Sequence, residues 1–362
     1  MTHLDASQSD LFQAPIDVDA AYALFAGKPE LSPDIASVFM GVTSTGIFCR
    51  PGCPARLPKR HNCEFYSSAD AALAAGFRAC KRCHPTRLPG ESSALVKQLI
   101  SMVDGNIERR WSEKDLSVKG IDPSTARRQF KARFNMTFTQ YARARRLGAA
   151  QTGLVTGQPV IDAQLSAGYE SASGFRTAFS KTFGVAPKNS DKAPLSVDWI
   201  DTPLGPMIAV CDNYALYLLE FTDRKALPKQ FNRLMKVYGR AIVPGKTDIT
   251  DQIRIELSGY FDGSLQRFKT PLALTGTEFQ NQTWKALIRI PYGQTQSYAQ
   301  LAQAVGNPKA VRAVAGSNAS NGLALIIPCH RVIRTGGHLG GYAGGLGRKN
   351  WLLAHEAKHA NM

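Results

Sequence analysis

The sequence predicts a multidomain α+β protein: a small α/β module around clustered cysteines, an all-helical middle, and an α/β lobe followed by a mainly helical C-terminal domain. Three observations predict it. Four cysteines form two close pairs within residues 49–83. From residue 93 to about 187, apolar residues keep helical spacing almost throughout. From about residue 195, strand-like runs return among the helical ones. A chain of 362 residues is long enough for two or three separate cores. The expected domains are 1–88, 93–188, 195–272 and 277–360, with linkers at LPGES (88–92) and PKNSDKAP (187–194).

The elements read as follows. DVDAAYALFAG (17–27) has helical spacing behind an acidic start, and VFMGVTSTGIFC (38–49) reads as two short strands around a turn. SSADAALAAGF (67–77) places Ser and Asp ahead of an Ala/Leu run, the mark of a capped helix. The helical middle is expected to break at Gly120–Pro123 and around Gly153–Pro159. Beyond the second linker, VDWIDTPLGPMIAV and ALYLLEF look like strands, and KALPKQFNRLMKVYG and ITDQIRIELSGYF like helices. From Thr277 the order is helix (EFQNQTWKALIRI), helix (SYAQLAQAV), helix (PKAVRAVAGSNA), strand (LALII) and a final helix (NWLLAHEAK). Asn307 is the expected N-cap of the third, with Pro308 at its first helical position.

The formal net charge is +16, unevenly spread: −5 over residues 1–48, +6 over 49–90, +7 over 91–192 and +8 over 193–362. Three consecutive basic regions suit several modules that meet a polyanion, although charge alone does not single out nucleic acid. No apolar run reaches the roughly 20 residues of a membrane span. The N-terminus lacks a signal-peptide pattern, so cytoplasmic residence is expected. Seven cysteines without an export signal argue for thiols in metal or reactive roles.

CRPGC (49–53) and CKRC (80–83) supply two chelating pairs separated by 26 residues. Four thiolates at such spacing select one zinc ion, with Cys49, Cys53, Cys80 and Cys83 as ligands. His61, Cys63 and His84 lie near enough in sequence to substitute. A closed four-cysteine site is usually structural, and on residues alone that reading stands. TSTGIFCRPGCPAR, followed by FYSSADAALAAGFRACKRCHP, however resembles the N-terminal domain of the Ada family of bacterial adaptive-response proteins. The resemblance implies that Cys49 accepts a methyl group from a DNA methylphosphotriester, with Thr45, Arg56 and Arg78 as phosphate contacts. Methylation would take the site from −2 to −1 and strengthen DNA binding.

In the middle, VIDAQLSAGYESASGFRTAFSKTFGVAP fits a helix-turn-helix whose first helix ends at Gly168 and whose second carries core Phe175, Phe179 and Phe183. Upstream, GIDPSTARRQFKARFNMTFTQYARARRL repeats the logic, with Pro123 at the first helical position and Arg127 and Arg128 available to DNA. The pair resembles the double helix-turn-helix of AraC-type regulators. KDLSVKGIDP departs from that pattern, being one residue short and lacking the usual small alanine.

IIPCHRV (326–332) sets Cys329 beside His330 behind a proline. A cysteine after a buried strand is most often core, and a hydrolase thiol is a further alternative. The preceding helix has little bulk at Ala310, Ala313, Gly316 and Ser317, and carries Arg312, as an element docking on DNA would. SYAQLA, KAVRAV, SNASNGLALIIPCHRV, GGYAGG and WLLAHE resemble the alkylguanine-DNA alkyltransferases over residues 277–357. The resemblance implies a ribonuclease-H-like lobe before a winged-helix-like catalytic domain. It makes Cys329 the acceptor of the O6-alkyl group of guanine, and also of O4-methylthymine. His330 is then the base acting through a water, Glu356 its orienter, and Asn321 the residue that braces the site. Tyr298 acts on the leaving guanine, Arg312 fills the vacated stack, and Tyr342 lines the pocket. Ala343 replaces the polar or basic residue that often follows this tyrosine. A thioether product resists water, so the protein would be consumed in one turnover.

The combined reading is a single-turnover methylated-DNA–protein-cysteine methyltransferase in which methylation of Cys49 is expected to switch on sequence-specific DNA binding and transcription of alkylation-response genes. Its expected partners are double-stranded DNA, damaged or promoter, and RNA polymerase; the expected state is a monomer on the bacterial nucleoid. The alternatives are a zinc-containing AraC-type DNA-binding regulator with purely structural cysteines and a repair protein without transcriptional activation. Cys211 reads as core and Cys63 as a free thiol near the zinc.

Overall fold

The computed structural model describes residues 16–26, 38–88 and 90–360. The readings of residues 1–15, of Gly27 and of Pro89 in the first linker lie outside them. The chain forms two compact units, Met1–Leu88 with Gly345–Ala354, and Pro89–Gly344 with His355–Met362.

In the first unit, α1 (Val18–Phe25) starts at Asp17, whose carboxylate accepts from the backbone N–H of Asp19 and Ala20. A sheet follows, with β1 (Phe39–Val42), β2 (Ile47–Cys49), β3 (Cys63–Tyr66), then α2 (Ala69–Ala74) capped by Ser68, and β4 (Arg78–Ala79). The strand order is β3-β1-β2-β4; β2 pairs antiparallel with β1 and parallel with β4. Gly41 is required on β1: a Cβ there would lie 2.8 Å from the Phe77 ring, which packs across the strand.

The second unit opens with helices α3 (Ala94–Asp104), α4 (Glu113–Val118), α5 (Pro123–Phe134), α6 (Phe138–Val155), α7 (Val160–Ser166) and α8 (Ala172–Phe183). Asp122 caps α5 and Pro123 takes its first position, as read from GIDP. Two further breaks appear. Gly105 ends α3 before a capping box of Ser112 and Asp115 opens α4, and Asn135 turns left-handed (φ 55°) before Thr137 and Gln140 cap α6. In both places local side-chain-to-backbone bonds outcompete continued helix. Phe130, Phe134, Phe138 and Tyr141 form one core and Phe175 and Phe179 a second.

Next come β5 (Leu195–Ile200), β6 (Met207–Cys211), β7 (Leu216–Phe221), α9 (Leu227–Tyr238), β8 (Ile242–Pro244) and α10 (Asp248–Asp262). The sheet order is β7-β6-β5-β8, antiparallel except for the β5–β8 pair. The helical middle packs on this lobe: Phe134 meets Trp199 edge-on with centroids 4.7 Å apart, and Arg133 pairs with Asp201 at 2.6 Å. Asp104 takes both Arg145 (2.8 Å) and Lys246 (2.7 Å).

The remaining elements are α11 (Glu278–Ile288), β9 (Gln296–Ser297), α12 (Tyr298–Ala304), α13 (Val311–Ala319), β10 (Val332–Ile333) and α14 (Leu346–His359). Two expectations are corrected here. α13 begins at Val311, and Asn307 and Pro308 instead form a turn closed by Ala310 N–H donating to Asn307 O. Proline at the second position of a turn has its φ already set, so the turn wins over an early helix start. LALII is not a strand: only Leu323 bridges, to Leu219, and the run then coils with all five side chains buried. Leu325 adopts φ 71°, and Ile326 N–H donates to Ala324 O two residues back. Such a non-glycine conformation costs about 1–3 kcal/mol and persists because its surroundings hold it.

Candidate active site and metal centre

In the first unit, parallel pairing of β2 with β4 sets Phe48 opposite Ala79, and Cys80 N–H donates to Phe48 O at 3.0 Å. That register brings Cys49, at the end of β2, beside Cys80, just past β4. The turn through Gly52 (φ 78°) returns Cys53, and the turn after Cys80 returns Cys83. The four sulfurs lie within 4.8 Å of one another, Cys53 and Cys80 at 4.0 Å. A tetrahedral ion with Zn–S of about 2.3 Å needs sulfurs roughly 3.8 Å apart, so the donor set fits zinc. Crowding argues the same way: a hydrogen bond with Cys83, then burial, pushes the Cys49 thiol far above its ordinary value. Four neighbouring thiolates need a cation.

Among the described residues the donor group is these four cysteines. Cys63 packs instead with Met40 and Val42 and donates to Lys59 O at 3.3 Å. Thr45, in the β1–β2 turn, and Arg56 and Arg78 are all exposed. Arg78 N–H donates to Gly46 O, so Arg78 and Thr45 border the same turn.

In the second unit, α4 with α5 and α7 with α8 form two helix-turn-helix pairs. Arg128 is exposed, while Arg127 is engaged by Glu113. On α8, Arg176 and Lys181 face solvent and Phe175 and Phe179 face the core; Phe183 is half-buried.

Around Cys329 the geometry is dense. Pro328 (φ −80°, ψ 61°) centres an inverse γ-turn, closed by Cys329 N–H donating to Ile327 O at 2.7 Å. The 3₁₀ turn that follows, Cys329–Arg331, is wholly buried. Asn321 donates from Nδ2 to Cys329 Sγ (3.1 Å) and to Ile327 O (2.9 Å), while its Oδ1 accepts from Leu323 N–H. His330 Nε2 lies 2.8 Å from Glu356 Oε1, both fully buried. A neutral imidazole donating Nε2–H to the carboxylate keeps Nδ1 as its basic nitrogen.

Sequence reasoning missed three partners of this relay. Arg331 grips Glu356 with Nε (2.8 Å) and Nη2 (3.0 Å) and gives Nη1 to Ile290 O (2.6 Å). Tyr260, on α10, donates its hydroxyl to Glu356 Oε1 at 2.7 Å. Asn318 donates from Nδ2 to Cys329 O at 3.3 Å. Arg331 and Asn318 stood in the quoted motif itself; Tyr260 carried no sequence signal. Burial works against the Glu356 charge, but His330 and Arg331 overcome it and hold the carboxyl well below its usual range.

Tyr298 opens α12, half-buried beside Gly340, and burial and the Cys329 charge raise its phenol above its ordinary value. The Tyr342 ring stands 6.3 Å from His330, nearly perpendicular to it. Arg312, Ala313 and Gly316 are exposed on α13, with open space where a Gly316 side chain would sit. Ser317 departs from the reading: it is buried, its hydroxyl bonded to Ala313 O and its carbonyl to the Trp284 indole. No helix among the described residues is long and apolar enough to cross a membrane.

Comparison with known proteins gives three family matches: the metal binding domain of Ada over residues 33–86, a helix-turn-helix domain over 118–192, and the 6-O-methylguanine DNA methyltransferase DNA binding domain over 278–358. The bifunctional transcriptional activator/DNA repair enzyme Ada of Escherichia coli (strain K12) is 36% identical over 88% of this chain and 91% of its own length. A methylated-DNA–protein-cysteine methyltransferase of Shigella flexneri is 40% identical over 43% of this chain and 92% of its own. The crystal structure of the Mycobacterium tuberculosis O6-methylguanine methyltransferase aligns with 46% of this chain and 94% of that one, at 37% identity and a TM-score of 0.40.

Proposed function

The chain belongs to the Ada family, and from that premise we propose that it repairs alkylated DNA at two self-consuming cysteines and regulates transcription through its helix-turn-helix pairs. Cys329 takes the O6-alkyl group of guanine, and the methyl of O4-methylthymine. The observation that carries this is the buried relay in which Cys329 adjoins His330 and His330 Nε2 meets Glu356 at 2.8 Å. His330 takes the thiol proton through a water, and Glu356 with Arg331 keeps the imidazole oriented. The sulfur–carbon bond forms as the carbon–O6 bond breaks; the electron pair leaves on the guanine, which Tyr298 protonates. Asn321 steadies the developing thiolate by donating to it. Cys329 lies buried at 4% exposure, so the base must leave the duplex to reach it. Arg312 on the exposed face of α13 fills the gap left behind, and Tyr342 lines the pocket.

At the other centre, zinc bound by Cys49, Cys53, Cys80 and Cys83 would keep those sulfurs as thiolates. Cys49 takes the methyl of a phosphotriester; its S–C bond forms as the C–O bond to phosphorus breaks, leaving an ordinary phosphodiester anion. Thr45, Arg56 and Arg78, each exposed, hold the phosphate. The lost charge favours DNA binding by the helix-turn-helix pairs, in which Arg127 and Arg128 contact promoter DNA. RNA polymerase is the next partner in that sequence. The protein acts as a monomer on the nucleoid, with domains at 1–88, 93–188, 195–272 and 277–360.

The test is transfer of labelled methyl from duplexes carrying either O6-methylguanine or a methylphosphotriester. Cys329→Ala should abolish uptake from the first and spare the second, and Cys49→Ala the reverse. Uptake from O6-methylguanine by Cys329→Ala would contradict the assignment.

A further inference from the structure

The α/β lobe reaches the reactive cysteine through one buried ion pair. Glu220 on β7 is 1% exposed, and it accepts from Phe221 N–H and from Arg224, in the turn after β7. Arg224 in turn donates from Nη2 to Ala319 O (2.8 Å), on the last residue of α13, and from Nη1 to Asn321 O (2.6 Å), two residues beyond it. The edge of β7 holds the same stretch through its backbone. Leu219 N–H donates to Gly322 O at 2.9 Å, and Ala324 N–H donates to Leu219 O at 2.8 Å. Residues 319–324 are thus fastened to the lobe at four points, and in their midst is Asn321, whose Nδ2 lies 3.1 Å from Cys329 Sγ.

We propose that Arg224 is a positioning residue for Cys329: its fork on the carbonyls of Ala319 and Asn321 holds the Asn321 amide against the sulfur. Through it the lobe sets the reactivity of the thiol. A planar guanidinium suits the task because it serves two carbonyls at a fixed spacing, which an ammonium cannot. Glu220 anchors the guanidinium and balances its charge. Burial lowers the Arg224 guanidinium, and the pull of the Cys329 charge opposes it, so the cation also lies within electrostatic reach of the sulfur. The other titratable groups facing the site are His330 beside Cys329, Tyr298 on α12, Tyr342 in the following loop, and Glu356 with Arg331 behind the imidazole. All of these remain when Arg224 is changed. The side chain of Arg224 is 7% exposed, which leaves it no role in direct DNA contact.

The inference rests on the reading of Cys329 as the alkyl acceptor, and the experiment separates the two. The full zinc-loaded chain is mixed with a duplex carrying O6-methylguanine, and the single-turnover rate of methyl appearance on the Cys329 peptide is followed against pH. Removing Arg224 alone would strand a buried carboxylate, so the informative variant is Glu220→Gln with Arg224→Gln, which removes both charges. It should fold and bind unmodified duplex as the parent does, transfer about tenfold more slowly, and need a pH about one unit higher for half-maximal rate. Arg224→Lys keeps the cation but not the fork; it should also be slower, with a smaller pH displacement. Parent rate and pH midpoint in both variants would overturn the proposal. A parent chain that takes no methyl on Cys329 would overturn the acceptor reading, and this inference with it.

Discussion

Glu356 takes bonds from His330, Arg331 and Tyr260 inside the protein, which gives its replacement a defined signature. Glu356→Gln leaves the Arg331 cation buried without its counter-ion, a loss of about 3–5 kcal/mol by comparison with other broken buried pairs. The folded carboxyl titrates below its ordinary value of 4.5, so its stabilisation is complete above that pH. It is lost as the pH falls from there through the depressed folded value. Thermal unfolding should show the parent well above Glu356→Gln at pH 7, with the gap closing below about pH 4.5. A gap that stays constant into acid would mean that the carboxylate charge contributes nothing. Transfer by Glu356→Gln should also be slow at neutral pH, because His330 loses the acceptor that fixes its tautomer.

The helices of the middle were legible where capping chemistry was local: Asp122 with Pro123 before α5, and Gly168 after α7. The breaks at 105–112 and 135–137 were missed because apolar spacing continues across them while polar side chains end the helix. LALII misled for another reason. An apolar run reports burial, and here burial is met by a coil holding Leu325 left-handed; no local pattern distinguishes that from a strand. The four-cysteine cluster was legible from its spacing, and the family resemblance pointed to Cys329, His330, Glu356 and Asn321, which the structure brings together. Arg224, Glu220 and Tyr260 were not, since each reaches the site from a lobe some 70–110 residues away in sequence. On α8, Arg176 is exposed beside the buried Phe175 and Phe179. Arg176→Ala should weaken promoter binding and lower the salt dependence of log K by about one unit of slope. An unchanged slope in a salt titration would remove α8 from the DNA interface. Phe130→Ala, in the core of α5, should instead destabilise the helical middle by about 3–5 kcal/mol.

For the whole molecule, positive charge extends over the three regions after residue 48, which hold both cysteine sites and the helix-turn-helix pairs and attract DNA to them. Cys49 and Cys329 lie in different compact units and in different surroundings: four clustered thiols in one, a cysteine beside a histidine–carboxylate pair in the other. Stripping zinc with a chelator should therefore expose residues 38–88 to proteolysis and end transfer from phosphotriesters. Methyl uptake by Cys329 should continue. Loss of both activities together would mean that the relay depends on the metal centre. The most direct measurement is the intact mass of the full chain after exposure to excess methylated duplex, followed by mapping of the modified peptides. The account predicts two methyl groups per chain, one on Cys49 and one on Cys329, and no further gain with time. A methyl on neither would contradict it and leave a zinc-binding regulator whose cysteines only hold its fold.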